Sequence, residues 1–241
     1  MENFIWFVIL ALFISQVHLL VKFVYRKGIS NSFILYLVKS IYFIGTIFSN
    51  VNVLFHEIGH VIAALVTGGK VYKVELNSNR GGVAETASSS FFGKVFTSFS
   101  GYPFASLVSL LFVVLIVNEY YNYIIYILVA TLIGSMIFLV RNIYGFVWCG
   151  VFLVLTLGIE NYLNESVVYF VSFVTAILVV NSVTTAMNVF FLSFKKDIES
   201  DAVNLSKVTK IPTVLWGFGF LVISSGVGYL NYLLLTGSQL F

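Results

Sequence analysis

Apolar residues come in long runs in this chain, not in short alternations. The runs cover Phe4 to Val24, Phe33 to Phe48, Val51 to Val66, Tyr102 to Val117, Tyr123 to Val140, Ile143 to Ile159, Val167 to Leu192 and Ile211 to Leu235. A helix needs about 20 residues to cross the hydrocarbon core of a bilayer. Most of the runs approach that length and predict membrane-spanning helices. The second and third are shorter, and only Ser49-Asn50-Val51-Asn52 separates them. They are read either as one bent helix or as two crossings.

Two stretches break the pattern. Between Gly68 and Ser90, Val71, Lys73 and Glu75 alternate with Tyr72, Val74 and Leu76, a period-two pattern. Asn79-Arg80-Gly81-Gly82 supplies turn residues, and Val83 to Ser88 can return as a second strand. A β-hairpin is predicted directly after the third run. Lys195 to Lys210 is polar and predicts a loop or a short helix ending before Pro212. The expected fold is an all-α polytopic membrane protein of about eight transmembrane helices, seven if the second and third runs merge. One small β-hairpin follows the third run, and residues 1–241 are expected to form a single domain.

Composition strengthens this picture. Of 241 residues, 59% are hydrophobic and 10% are charged. A soluble domain carries about 25% charged residues, and a soluble fold of this size could not hide so much apolar surface. The lipid bilayer is the expected solvent. The net charge of +3 includes no basic block that would suggest a nucleic-acid partner. Cys149 is the only cysteine, so no internal disulfide can form. Lys22, Arg26 and Lys27 follow the first run, opposite to the charge order of a cleavable signal, so an uncleaved first helix is expected. With eight crossings, the positive-inside rule puts all 13 Lys and Arg on the cytoplasmic face, with Lys39 snorkelling from within its run. Both termini are then outside, and Glu2, Glu119, Glu160 and Glu165 also lie outside. Merging the second and third runs would instead divide the positive residues between the faces. Nothing in the sequence sets an oligomeric state.

The candidate chemistry is concentrated in His56-Glu57-Ile58-Gly59-His60. Two histidines four residues apart on a helix share a face and can grip one metal ion. Glu57, three residues before His60, lies beside that face and can take a proton from water that the metal activates. Two of the 3 histidines fall in this run. Ionisable residues inside a membrane helix are costly and are functional-site candidates for that reason. A polar cluster between helices, or an enzyme that has lost activity, would place the same residues together. A metal transporter is the other alternative, but it should carry further ionisable residues along other helices, and the middle runs offer almost none.

The run His56-Glu57-Ile58-Gly59-His60, followed by Ala63-Ala64-Leu65, Thr67-Gly68-Gly69 and a strand-like segment, resembles the site-2 protease family of intramembrane metallopeptidases. It is most similar to the compact bacterial branch, the B-like M-fifty peptidases. A late pattern, Ser200-Asp201-Ala202, Leu205, Thr209, Pro212 and Trp216, also resembles that branch. The resemblance implies a zinc metalloendopeptidase in the bacterial cell membrane that cleaves membrane-anchored protein substrates. Zn2+ would be held by His56 and His60, with Glu57 as the catalytic base.

A catalytic zinc site takes a third protein ligand. In the family this is an aspartate on a later helix, which implies Asp201, the aspartate in the matched pattern. Asp197 is the only other aspartate, and Glu75 and Glu85 in the hairpin are fallback ligands. His60 lies eight residues before Gly68, about 12 Å below the interface at 1.5 Å per residue, so Asp201 would have to dip inward. The hairpin either seals the site or offers a strand edge to an unwound substrate segment. His18 is expected to be a hydrogen-bonded core residue. Asn142, Asn181 and Asn188 are expected to bond between helices, and Ser224 and Gly228 to pack a helix contact.

Overall fold

The computed structural model describes residues 2–27, 31–195 and 198–237. Eight α-helices and one hairpin follow in chain order. They are α1 (Glu2–Arg26), α2 (Ser32–Val66), β1 (Lys70–Leu76), β2 (Gly82–Ala87), α3 (Phe91–Val117), α4 (Tyr121–Gly134), α5 (Ile143–Tyr162), α6 (Val167–Leu192), α7 (Asp201–Thr209) and α8 (Thr213–Thr236). Helix α4 continues into one π-helical turn, Ser135–Leu139. Among the described residues, six helices are long and apolar enough to cross a membrane: α2, α3, α4 with its π turn, α5, α6 and α8. Helix α1 contributes a shorter apolar stretch, Phe4–Val17.

The second and third apolar runs form one continuous helix of 35 residues. The preferred division into two crossings, and with it the count of eight, is therefore corrected to the merged arrangement. Ser49-Asn50-Val51-Asn52 contains neither Gly nor Pro, so nothing in the backbone stops the helix there. Its polar side chains face the bundle interior, where all four residues are buried. Asn50 donates to the Tyr144 hydroxyl at 3.0 Å. The assignment of every positive residue to one face rested on that division and loses its basis.

Helix α2 stops where its sequence stops it. The Thr67 hydroxyl turns back to the Ala63 carbonyl at 2.7 Å, and Gly68 takes the left-handed conformation at φ 72°. The Gly68 and Gly69 amides satisfy the last carbonyls, Leu65 and Ala64. The chain then reverses, and β1 pairs antiparallel with β2, Leu76 opposite Gly82. The strand limits match the predicted hairpin to within a residue or two. The other edge of β1 is occupied too. Val74 pairs with Val140, and Asn142 grips the backbone of Leu76, donating to its carbonyl at 2.6 Å and accepting from its amide at 3.2 Å. Asn142 thus bonds to the hairpin, not between helices as expected. Among the described residues, the outer edge of β2 has no strand partner.

The hairpin tip is anchored by Arg80, which sequence reasoning had placed among the cytoplasmic charges. It is threaded between α1 and α2. Its Nη1 donates to the Ile14 and Ser15 carbonyls at 3.1 Å each, and its Nε to the Thr46 hydroxyl at 3.3 Å. Its guanidinium lies 5.0 Å from the centre of the Tyr42 ring, a cation–π contact. Gly45 leaves the room, since a Cβ there would stand 2.8 Å from Arg80 Nη2. Burial pushes the guanidinium below its usual range without neutralising it.

The main core joins α2, α3, α4, α5 and α6 around Leu54, Phe112, Ile125, Phe152 and Val171. A second cluster holds α7 in place, with Ala202 and Leu205 packed on Ala186, Val189 and Phe220. Ser224 receives a hydrogen bond from Ser106 at 3.0 Å, tying α8 to α3, and Gly228 faces Val183 of α6. Both serve packing, as their spacing suggests. The side chain of His18 lies outside the described ones.

Replacing Arg80 with alanine removes three hydrogen bonds and a ring contact from the hairpin tip. Arg80→Ala is expected to lower unfolding stability in detergent by about 1–3 kcal/mol. It should also speed amide hydrogen exchange at Asn77 to Gly82 while the exchange of α6 stays slow. Unchanged exchange at the tip would show that the strands alone hold it.

Candidate metal centre

Helix α2 carries His56 and His60 on one face and Glu57 beside them, as the four- and three-residue spacings require. The imidazoles point their Nε2 atoms at each other across 3.1 Å. His60 Nδ1 lies 2.7 Å from the Thr97 carbonyl. That acceptor keeps the proton on Nδ1 and leaves the Nε2 lone pair facing the cluster, the usual support for a metal-ligating histidine. The ring of Tyr102 packs edge-on against His56, with centroids 4.5 Å apart.

Asp201 completes the group from the far end of the chain. Its Oδ2 lies 3.1 Å from His56 Nε2 and 3.4 Å from His60 Nε2. The late sequence pattern explains how it gets there. Ser200 caps α7, accepting from the Val203 amide, so Asp201 is the first helical residue. Ala202 and Leu205 bury the apolar face of α7. Thr209 accepts a hydrogen bond from Trp216 Nε1 at 3.1 Å, and Pro212 stands just before α8. The required inward dip is supplied by α7 itself, which packs between α3 and α8. Burial raises the Asp201 carboxyl, but the neighbouring His60 and His56 outweigh it and hold the group well below the usual carboxylate range.

Three ligand atoms, one each from His56, His60 and Asp201, all lie within 4.8 Å of one another, and no other such group was found among the described residues. Two nitrogens and one carboxylate oxygen suit zinc at a catalytic site. Gly101 on α3 reinforces the fit. A Cβ there would stand 2.5 Å from His56 Cε1 and 2.6 Å from His60 Nε2, so only glycine leaves space beside the imidazoles. Its counterpart on α2 is Gly59, whose Cβ would stand 2.7 Å from the Phe104 Cβ. The two helices cross closely here, and Ser100 donates to the Gly59 carbonyl at 2.9 Å.

Glu57 is 4% exposed and faces β2. Its carboxylate lies close to the β2 backbone near Ala84. Gly82 allows this approach, because a Cβ there would stand 2.5 Å from Glu57 Oε1. These groups line a cleft of about 490 Å3 that runs from Asp201 past the imidazoles to Arg80. One wall is Gly82, Val83, Ala84 and Thr86 of β2; Thr185, Asn188 and Val189 of α6 form another.

The fallback ligands are not part of this cluster. Glu75 and Glu85 both pair with Lys73, at 2.8 and 3.4 Å, near the surface. The Glu75 carboxylate first, then Glu85, raises the Lys73 ammonium. Asp197 lies outside the described residues. Asn188 is exposed at the cleft, and Asn181 is buried. Thr97, Gly101 and Tyr102 escaped sequence reasoning. Gly101 and Tyr102 sit where an apolar run begins, and only the helix crossing reveals their role.

A methyl group on Gly101 would compete with a bound ion for space. Gly101→Ala is expected to weaken metal binding about tenfold or more, measured as metal content after dialysis, with helical circular dichroism unchanged. Full metal retention would remove Gly101 from the site.

A family model described as Peptidase M50B-like matches residues 29–230. Neither the search of curated proteins nor that of solved structures returned a match.

Proposed function

Because the chain belongs to the Peptidase M50B-like family, within the site-2 proteases, we propose that it hydrolyses peptide bonds of membrane-anchored proteins at the cleft between α2 and β2. The observation that carries this reading is the convergence of His56, His60 and Asp201 beside a buried Glu57. His56, His60 and Asp201 would hold Zn2+. When bound, zinc supplies Lewis acidity that lowers the pKa of water and polarises the scissile carbonyl.

The remaining work falls to side chains and backbone. Glu57 takes a proton from the attacking water and returns it to the departing amide nitrogen, so the peptide bond breaks into a carboxylate and an amine. Thr97 fixes the His60 ring. β2 lines the cleft and, among the described residues, has no strand on its outer edge, whereas β1 pairs with β2 on one edge and with Val140 on the other. An unwound substrate segment can add to β2 as a further strand, which presents its backbone to Glu57. A helical substrate hides its peptide groups in its own hydrogen bonds, so this extended pose exposes them. The resemblance to the bacterial branch supports reading it as an integral protein of a bacterial cell membrane.

The test is metal analysis of detergent-purified protein together with cleavage of a panel of fluorogenic single-span peptides with a central helix break. Wild type is expected to contain zinc and to cleave members of the panel. Glu57→Gln should keep zinc and lose about 10²–10⁴-fold in rate. His56→Ala and Asp201→Asn should lose zinc. Undiminished cleavage by Glu57→Gln would sink the mechanism, and normal zinc content in Asp201→Asn would strike that residue from the ligand set.

A further inference from the structure

Asn52 lies four residues before His56, hence on the same face of α2 and about 6 Å along the helix axis. It is 3% exposed and lines the cleft between the candidate metal ligands and the hairpin tip. Its neighbour Val53 would be 2.7 Å from a Cβ on Gly82, so β2 passes close to this part of α2. The Asn52 Oδ1 is buried and has no hydrogen-bond partner. A buried carboxamide oxygen without a partner is costly, and a structural asparagine normally avoids it.

Nearby Asn50 shares the unpartnered Oδ1, but its amide donates to Tyr144, and it does not line the cleft as Asn52 does. Asn142 is more instructive. Its carboxamide donates to the carbonyl and accepts from the amide of one residue, Leu76, and so holds an extended backbone. Asn52 carries the same pair of groups and lines the cleft that Gly82, Val83 and Ala84 of β2 also line.

We propose that Asn52 binds the substrate backbone, its carboxamide donating to a peptide carbonyl and accepting from a peptide N–H of an extended segment laid along β2. This rests on the peptidase reading and names a residue for its substrate subsite. The bound segment is then held from two sides, by the β2 edge and by Asn52, within one or two residues of the bond facing Glu57. The contacts go to backbone atoms, so the subsite takes unwound peptide of any sequence. The polar cost is borne by the free enzyme and recovered when substrate binds.

The test uses the best-cleaved peptide of the single-span panel. Each backbone amide within about four residues of the cleaved bond, except that bond itself, is replaced in turn by an ester, which removes one N–H donor. Wild type is expected to lose about tenfold in kcat/KM at one ester position, the loss of one net hydrogen bond. Asn52→Leu, close in shape, should start about ten- to a hundredfold lower on the all-amide peptide. It should be indifferent to that ester, keep its zinc, and melt no lower than wild type. If Asn52→Leu fails to fold, Asn52→Ala takes its place. An ester penalty of equal size in wild type and variant, or undiminished cleavage by the variant, overturns the assignment of Asn52 alone. Zinc-loaded wild type that cleaves no peptide of the panel overturns the peptidase reading and this proposal with it.

Discussion

Two imidazoles and two carboxylates inside an apolar bundle are tenable only if each polar atom finds a partner and the helices approach closely enough to supply it. That constraint organises the molecule. The crossing of α2 and α3 at Gly59 and Gly101 brings the Thr97 carbonyl to His60 and leaves room beside both Nε2 atoms. Alanine at Gly59 would press on the α3 backbone, and alanine at Gly101 would press on both imidazoles. Helix α7 brings Asp201 to the same imidazoles by packing Ala202 and Leu205 on Ala186, Val189 and Phe220.

The hairpin answers the same constraint differently. Backbone groups of a strand inside a bundle need partners as much as side chains do. On β1 they are met by β2 on one edge and by Val140 to Asn142 on the other. On β2 the backbone near Ala84 lies close to the Glu57 carboxylate. Arg80 holds the tip to α1 and α2 through two backbone carbonyls, one hydroxyl and one ring. The hairpin is therefore a fixed wall of the cleft, and among the described residues the outer edge of β2 has no strand partner.

Much of this was legible along the chain. Long apolar runs need lipid, so the membrane helices were readable from length and composition. Alternation and turn residues marked the hairpin, since period two and Gly-rich turns are local properties. Two crossings were preferred for the second and third runs because that put every positive residue on one face, and a charge count does not tell whether a helix continues through Ser49 to Asn52. The backbone of a helix is indifferent to polar side chains that can be buried among other helices. The partners of Arg80 were not legible either, since nothing local announces carbonyls from α1 and a ring from α2.

The candidate site divides the same way. Spacing by itself determined that His56, Glu57 and His60 share one stretch of helix face, because a helix imposes its geometry on any residues four apart. Asp201 is 145 residues away from His56 in sequence, and no periodicity links them. Resemblance implied it, while its approach depends on how α7 packs on Val189 and Phe220. The space at Gly101, the acceptor at Thr97 and the unpaired carboxamide of Asn52 were likewise decided only in three dimensions. Each is a relation between elements, set by close packing, and no local stretch of sequence contains it.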